Sequence, residues 1–249
     1  MLTPASLAII WTQVAWRLDC DLADLLRSQV LVKPHGPRLA DYHGIYAWLM
    51  DEVAIISAPP EWVAAAQAAV AGQTIGALRD PALWHAALGA LIERIIGPSY
   101  QGYVDASTFR PPPSQSSGRP MPYVRRIAPA DLPALERLIA SCPPQDWADS
   151  AIQPDHSPIF VLEQSGELVA AASAPDDGAG VVSVGVITHP AWRGRGYGAA
   201  VVAALTADRL ADGAILHYQT LGANRASVAV ARALGYHDLA TALSVRLRP

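Results

Sequence analysis

The sequence predicts an α/β (α+β) protein, with a mixed sheet flanked by helices in its C-terminal half and a smaller, mainly helical domain before it. Three observations predict this. Segments of strand and helix character alternate from Tyr123 to Leu247. The run Val181–Val202, VVSVGVITHPAWRGRGYGAAVV, reads as a strand, a Pro-marked exit, a glycine loop and a helix. The stretch Arg110–Pro120, RPPPSQSSGRP, cannot form a helix or a central strand and suits an exposed, semi-rigid linker. The expected organisation is therefore an N-terminal domain over 1–110, a linker over 111–120 and a second domain over 121–249.

Composition narrows the function classes. A chain of 249 residues, 51% hydrophobic and 16% charged, is globular and long enough for one large core or two modest ones. The net charge of −4, with no basic block, gives nucleic-acid binding no electrostatic support. Apolar stretches are interrupted by charge, as at His85, Glu93 and Arg94, and none reaches the roughly 20 clean residues of a membrane helix. Leu7–Ile10 is too short for a signal-peptide core. Cys20 and Cys142 stand apart from each other and from any His cluster, which reads as two free thiols in a reducing cytoplasm. No metal-ligand spacing is present, so no metal is expected.

The N-terminal elements follow from local chemistry. Thr3-Pro4 starts a helix, with Thr as cap and Pro at the first position. Leu7, Ile10, Trp11, Val14 and Leu18 then recur at helical spacing. A second short helix is expected from Asp21 to about Leu31, ended by Lys33-Pro34-His35-Gly36-Pro37. Tyr42–Leu49 and Val53–Ser57 read as strands. Glu61–Ala71 and Pro81–Ile96 read as helices, and Gly97–Tyr103 as a turn-rich aromatic loop. The Trp residues and the lone His43 and His85 read as packing rather than chemistry.

Beyond the linker, Tyr123–Ile127 is a strand. A helix follows with Leu132, Leu135, Leu138 and Ile139 on one face, ended by Cys142-Pro143-Pro144. Trp147–Ile152 is a further turn of helix. Ile159–Glu163 and Leu168–Ala174 form a hairpin around Gln164–Glu167. Pro175–Gly180 turns into the long strand Val181–Thr188, completing an antiparallel meander. A helix over Gly196–Ala211, a strand over Ile215–Thr220, a helix over Asn224–Leu234 and a last strand within His237–Leu247 complete the order.

The run Arg193-Gly194-Arg195-Gly196-Tyr197-Gly198 places Gly at alternate positions where a strand hands over to a helix. Glycine lets the backbone turn sharply and approach a ligand, and the first amides of the helix lie unpaired at the positive end of its dipole. Such a turn suits a phosphate or pyrophosphate. It lacks the Lys-Ser/Thr of a P-loop and the Gly-x-Gly-x-x-Gly of a dinucleotide fold. The Arg-x-x-Gly-x-Gly signature after a strand and a Pro resembles the GNAT superfamily of N-acetyltransferases. A second block, Asn224-Arg225-Ala226-Ser227 followed by Ala233-Leu234-Gly235-Tyr236, is similar to that family's Asn-x-x-Ala/Ser and Leu-Gly-Phe/Tyr pattern. The resemblance covers Tyr123–Leu247.

The resemblance implies acetyl-CoA as cosubstrate and direct transfer of its acetyl group to an amine. It implies that the backbones of Val186, Ile187 and Thr188 hold the pantetheine arm and the acetyl carbonyl. Amides of Arg193, Gly194, Arg195, Gly196, Tyr197 and Gly198 would take the pyrophosphate. Asn224 would contact the pantetheine or the far side of the cofactor, and Ser227 would add a hydroxyl. Gly185, in the middle of a β-branched strand, marks a bulge or a close backbone approach. The family's frequent Tyr, four residues before the Gly of Leu-Gly-Tyr, is Ala231 here. That leaves Ser227 or a water to protonate the departing thiolate. For the base, His217 has a suitable intrinsic pKa, with His189, Glu163, Asp155 and a water chain as alternatives. The expected partner is an amine-bearing small molecule or peptide, and a homodimer is left open, with the N-terminal half as its module or as an acceptor-binding one. The competing reading is a non-catalytic acyl-CoA-binding or regulatory protein on the same fold.

Overall fold

A computed structural model describes residues 1–21, 23–24, 29–112, 123–175 and 180–248. The chain forms two compact units, each assembled from separated segments. Met1–Ser6, Tyr103–Tyr218 and Ala229–His237 make the first, and Leu7–Gly102, Gln219–Val228 and Asp238–Pro249 the second.

In the second unit α1 (Pro4–Leu18) is followed by β1 (Val30–Pro34), β2 (Gly44–Leu49), β3 (Ala54–Ala58), α2 (Val63–Val70), α3 (Ile75–Leu78), α4 (Pro81–Leu88) and β4 (Ile92–Val104). Strand order runs β1-β3-β2-β11-β4, where β11 is His237–Leu247. β1 pairs parallel with β3, whereas β2 pairs antiparallel with both β3 and β11. Because side chains alternate along a strand, Ile45, Ala47 and Leu49 share a face with Ile56, Leu243 and Val245. That face is buried with Leu78, Trp84 and Leu88 of the helices. The indole Nε1 of Trp84 donates to the Leu78 carbonyl at 3.0 Å, so its one polar group is satisfied inside the core. The expected cap at Thr3 is in place, with Ser6 N donating to Thr3 Oγ1 at 3.1 Å, and the structure adds one at Asp80, whose Oδ1 accepts from Ala82 N at 2.9 Å.

Three local expectations are corrected here. The helix expected over Asp21–Leu31 falls partly on residues 22 and 25–28, outside the described residues, and its last two, Val30 and Leu31, open strand β1. The helix expected over Pro81–Ile96 stops at Leu88, where Gly89 adopts a φ of 51°. The loop expected over Gly97–Tyr103 is the second half of β4, a 13-residue strand. A neighbour from the far end of the chain, β11, overrides the local turn composition, which a strand can do because its stability comes from cross-strand packing.

In the first unit the order is β5 (Val124–Arg126), α5 (Leu132–Ala140), α6 (Pro144–Ser150), β6 (Ile159–Gln164), β7 (Glu167–Ser173), β8 (Val181–Ser183), β9 (Gly185–Thr188), α7 (Tyr197–Ala211), β10 (Ile215–Leu221) and α8 (Arg225–Ala233), with Gln219–Leu221 of β10 and Arg225–Val228 of α8 counted in the second unit. Strands β5-β6-β7-β9 make an antiparallel sheet in that order. Leu135 and Leu138 of α5 bury against Val161, Leu168, Ala171 and Ile187. The β5–α5 connection is pinned by Asp131. It accepts from both terminal nitrogens of Arg125, at 2.5 and 2.9 Å, and from Ala128 N at 2.7 Å. The Arg125 contact first, then the Ala128 amide, pulls the Asp131 carboxyl from its ordinary 3.8 down to about 2. Most of the expected linker, residues 113–120, lies outside the described residues, as do residues 176–179 of the turn before β8. Cys20 and Cys142 are both free.

Candidate functional site

The strand expected as one piece over Val181–Thr188 is two strands with different partners. Val181, Val182 and Ser183 of β8 pair parallel with Ile215, Leu216 and His217 of β10. A last bond runs from Val184 N to His217 O at 2.8 Å. From the next residue the chain leaves that partner: Gly185–Thr188 pair antiparallel with Ser173–Ala170 of β7. The turn is made against the end of α6. A Cβ at Gly185 would lie 2.6 Å from the Ser150 carbonyl oxygen and 3.0 Å from the Ala151 carbonyl group, so only glycine admits this contact. Gly185 therefore marks a close approach, as its place in the strand suggested. β9 is the edge of its antiparallel sheet, and an edge strand turns alternate N–H and C=O groups of its outer side away from its partner.

The glycine turn follows directly. His189 caps a short 3-10 turn over Pro190–Trp192, its Nδ1 accepting from Ala191 N at 3.1 Å. Gly194 and Gly196 then take φ values of 74° and 82°, a region that side chains with a Cβ disfavour, and the space beside both is open. Gly196 is the N-cap of α7 and offers no side-chain cap, and the first intrahelical bond is Ala200 N to Gly196 O at 3.0 Å. The amides of Tyr197, Gly198 and Ala199 therefore precede the helical ladder, at the positive end of a 15-residue helix. Gly198 serves a different end. A Cβ there would come within 3.0 Å of Thr188 Oγ1, so its absence lets the start of α7 lie against the end of β9. The structure thus brings Val186–Thr188 and the glycine turn together.

The two arginines of the turn are held by the protein itself. Arg193 donates from Nε to the Thr188 carbonyl at 3.2 Å and from a terminal nitrogen to Asp146 of α6 at 2.5 Å. Its amide closes the 3-10 turn on Pro190 O at 3.4 Å. The Arg195 guanidinium lies 4.6 Å above the Trp192 ring. Asp146 and Trp192 carry no local signal that would have marked them. Only proximity in space reveals them.

His217 is 3% exposed, its imidazole stacked on Tyr103 with ring centroids 4.5 Å apart and planes 19° from parallel. Its Nδ1 lies 3.5 Å from the hydroxyl of Ser183, its register partner on β8. Ser183 is exposed between buried Val182 and Val184. A lone hydroxyl in a valine run was the one sequence signal for it. The other candidate bases have structural employment or stand apart: His189 is the cap just described, Glu163 meets Arg125 at 3.5 Å, and Asp155 lies on an exposed loop.

The family model for the acetyltransferase (GNAT) family matches residues 124–236. These residues are a GNAT acetyltransferase domain. Among solved structures, a GCN5-related N-acetyltransferase from Kribbella flavida is 18% identical, over 87% of this chain and 80% of its own, with a TM-score of 0.46. A GNAT-family acetyltransferase from Colwellia psychrerythraea is 16% identical over 66% of this chain and 61% of its own, at 0.47. A GNAT-family chain from Novosphingobium aromaticivorans is 21% identical over 61% of this chain and 65% of its own, at 0.44. The chain thus spans just under two thirds of the length of the last two. No curated protein matches it.

In the GNAT domain the second sequence block has clear local roles. Asn224 precedes α8, its Oδ1 accepting from Ser227 N at 3.2 Å, and both residues belong to the second compact unit. Ala231, at the position where the family often has Tyr, is fully buried. Tyr236 is a packing residue: its hydroxyl is 2.8 Å from Thr206 Oγ1 and its ring meets Tyr218 edge-on at 5.3 Å. Among the described residues no three His, Cys, Asp or Glu side chains gather as a metal site. No described helix is long and apolar enough to cross a membrane.

Proposed function

We propose that this chain is an acetyl-CoA-dependent N-acetyltransferase that moves the acetyl group directly to the amine of a small molecule or peptide. The observation that carries the reading is the side-chain-free cap of α7: donors of Tyr197, Gly198 and Ala199 precede the helical ladder, with open space beside Gly194 and Gly196. Donors at the positive end of a helix fit a diphosphate. When bound there, acetyl-CoA supplies an acyl thioester. Val186, Ile187 and Thr188 offer main-chain groups on the free edge of β9, suited to pairing with an extended amide-bearing arm as an added strand would. An N–H on the same edge stabilises the acyl oxygen as it gains charge. His217 accepts the amine proton and a water protonates the leaving thiolate. The residues before the linker serve acceptor binding or assembly.

The buried Ala231 in place of the usual Tyr is what favours the competing reading, a non-catalytic acyl-CoA-binding protein. Calorimetric titration with acetyl-CoA, paired with thiol release against a panel of amines, separates the two. Binding with release is the expected outcome, binding without release with any amine selects the non-catalytic protein, and absence of binding overturns both.

A further inference from the structure

We infer that Ser183 is a catalytic residue, the hydroxyl through which the acceptor amine passes its proton to His217. The inference rests on the acetyl-transfer reading and adds a group that the family motifs do not contain.

The argument begins with position. Ser183 and His217 are the last register pair of β8 and β10, and Val184 N to His217 O is the last bond before the chain swings away to β7. They therefore stand at the closed end of the edge that β9 leaves open, next to the main-chain groups proposed to hold the thioester. Exposure divides the pair. The imidazole is 3% exposed and stacked on Tyr103, so an amine in solvent does not reach it directly. Ser183 is an exposed residue, and its Oγ lies 3.5 Å from the imidazole Nδ1. Parallel register puts both side chains on one face of the sheet. A separation at the long end of the hydrogen-bond range is usual for catalytic groups before substrate draws them together.

The step balances without any further reactant. As the amine nitrogen forms its bond to the acyl carbon, its N–H proton moves to Ser183 Oγ while the Ser183 O–H proton moves to His217 Nδ1. The C–S bond breaks and the thiolate takes one proton from a water. His217, again through Ser183, releases the amine's proton to solvent, which restores that water. The exposed serine supplies access and the buried imidazole supplies basicity.

The test uses the full chain. Ser183→Ala is expected to lower kcat for thiol release about 100-fold, the usual weight of a positioned proton-transfer group, while the dissociation constant for acetyl-CoA stays within about twofold. Ser183→Thr, which keeps a hydroxyl, recovers most of the rate, which loss of a merely structural contact would not predict. Because the two residues act as one path, the double variant Ser183→Ala with His217→Gln is no slower than the slower single variant. A Ser183→Ala enzyme with wild-type kcat, or a double variant whose losses multiply, overturns the relay and leaves the acetyltransferase standing. A wild-type chain that binds acetyl-CoA yet releases no thiol with any amine overturns the acetyltransferase and the relay together.

Discussion

Val181–Ser183 and Gly185–Thr188 are neighbours in one β-branched run, yet they belong to different sheets. The first three residues lie parallel to β10, and the next four, beyond Val184, lie antiparallel to β7. Composition does little to distinguish them, since each has two residues that are Val or Ile and each contains one hydroxyl residue. What separates them is a steric event, the carbonyl end of α6 pressing on Gly185. The closed half presents side chains, Ser183 with His217 behind it. The open half presents main chain, with the glycine turn at its far end. On the proposed reading, one run supplies the two things acyl transfer needs, a proton path and a cradle for a thioester.

The strongest way to break this division is to attack the open half. Gly196→Asp combined with Gly198→Asp sets two carboxylates where a diphosphate is proposed to lie, and is expected to weaken acetyl-CoA binding at least about 100-fold, or ~2.7 kcal/mol, by calorimetry. Unaltered affinity would remove the cradle from the proposal. Gly185→Ala is the next largest. Its Cβ would meet the Ser150 carbonyl oxygen at 2.6 Å, and overpacking of this kind costs about 1–3 kcal/mol. Urea unfolding should show that loss, and acetyl-CoA affinity should fall as β9 shifts. A neutral Gly185→Ala would mean that α6 does not set the break.

The smallest effect concerns the frame on which both halves hang. The Asp131 carboxyl titrates lower in the folded chain than in the unfolded one, so its contribution is fully present above about pH 4 and is lost as pH falls towards 2. Asp131→Asn should lower the urea midpoint modestly at pH 6 and flatten the midpoint's decline between pH 4 and 2. Equal declines in the two proteins would show that the Arg125 contact contributes nothing measurable. The same variant should leave acetyl-CoA affinity unchanged, which keeps the frame distinct from the cradle.

Much of the first unit was legible because its signals are local. Asp131 and the Leu132–Ile139 stripe, the hairpin around Ser165-Gly166 and the glycine turn all depend on residues within a few positions of one another. Ile92–Val104 was not legible. Its Gly97-Pro98-Ser99 reads as a turn until β11 is seen beside it in the sheet order. Ser183 and Asp146 were missed for a related reason: each acquires meaning only from a partner remote in sequence, His217 for one and Arg193 for the other.

The sequence by itself determined that the chain is α/β, that a strand gives way to a helix through an anion-suited glycine turn, and that the family's frequent Tyr is absent at Ala231. These are matters of backbone freedom, capping and composition, which short segments carry alone. The tertiary structure decided which strands pair, where Val181–Thr188 breaks, and which hydroxyl stands before which imidazole. Those outcomes depend on steric contact and hydrogen bonding between segments far apart in the chain, and no local propensity encodes them.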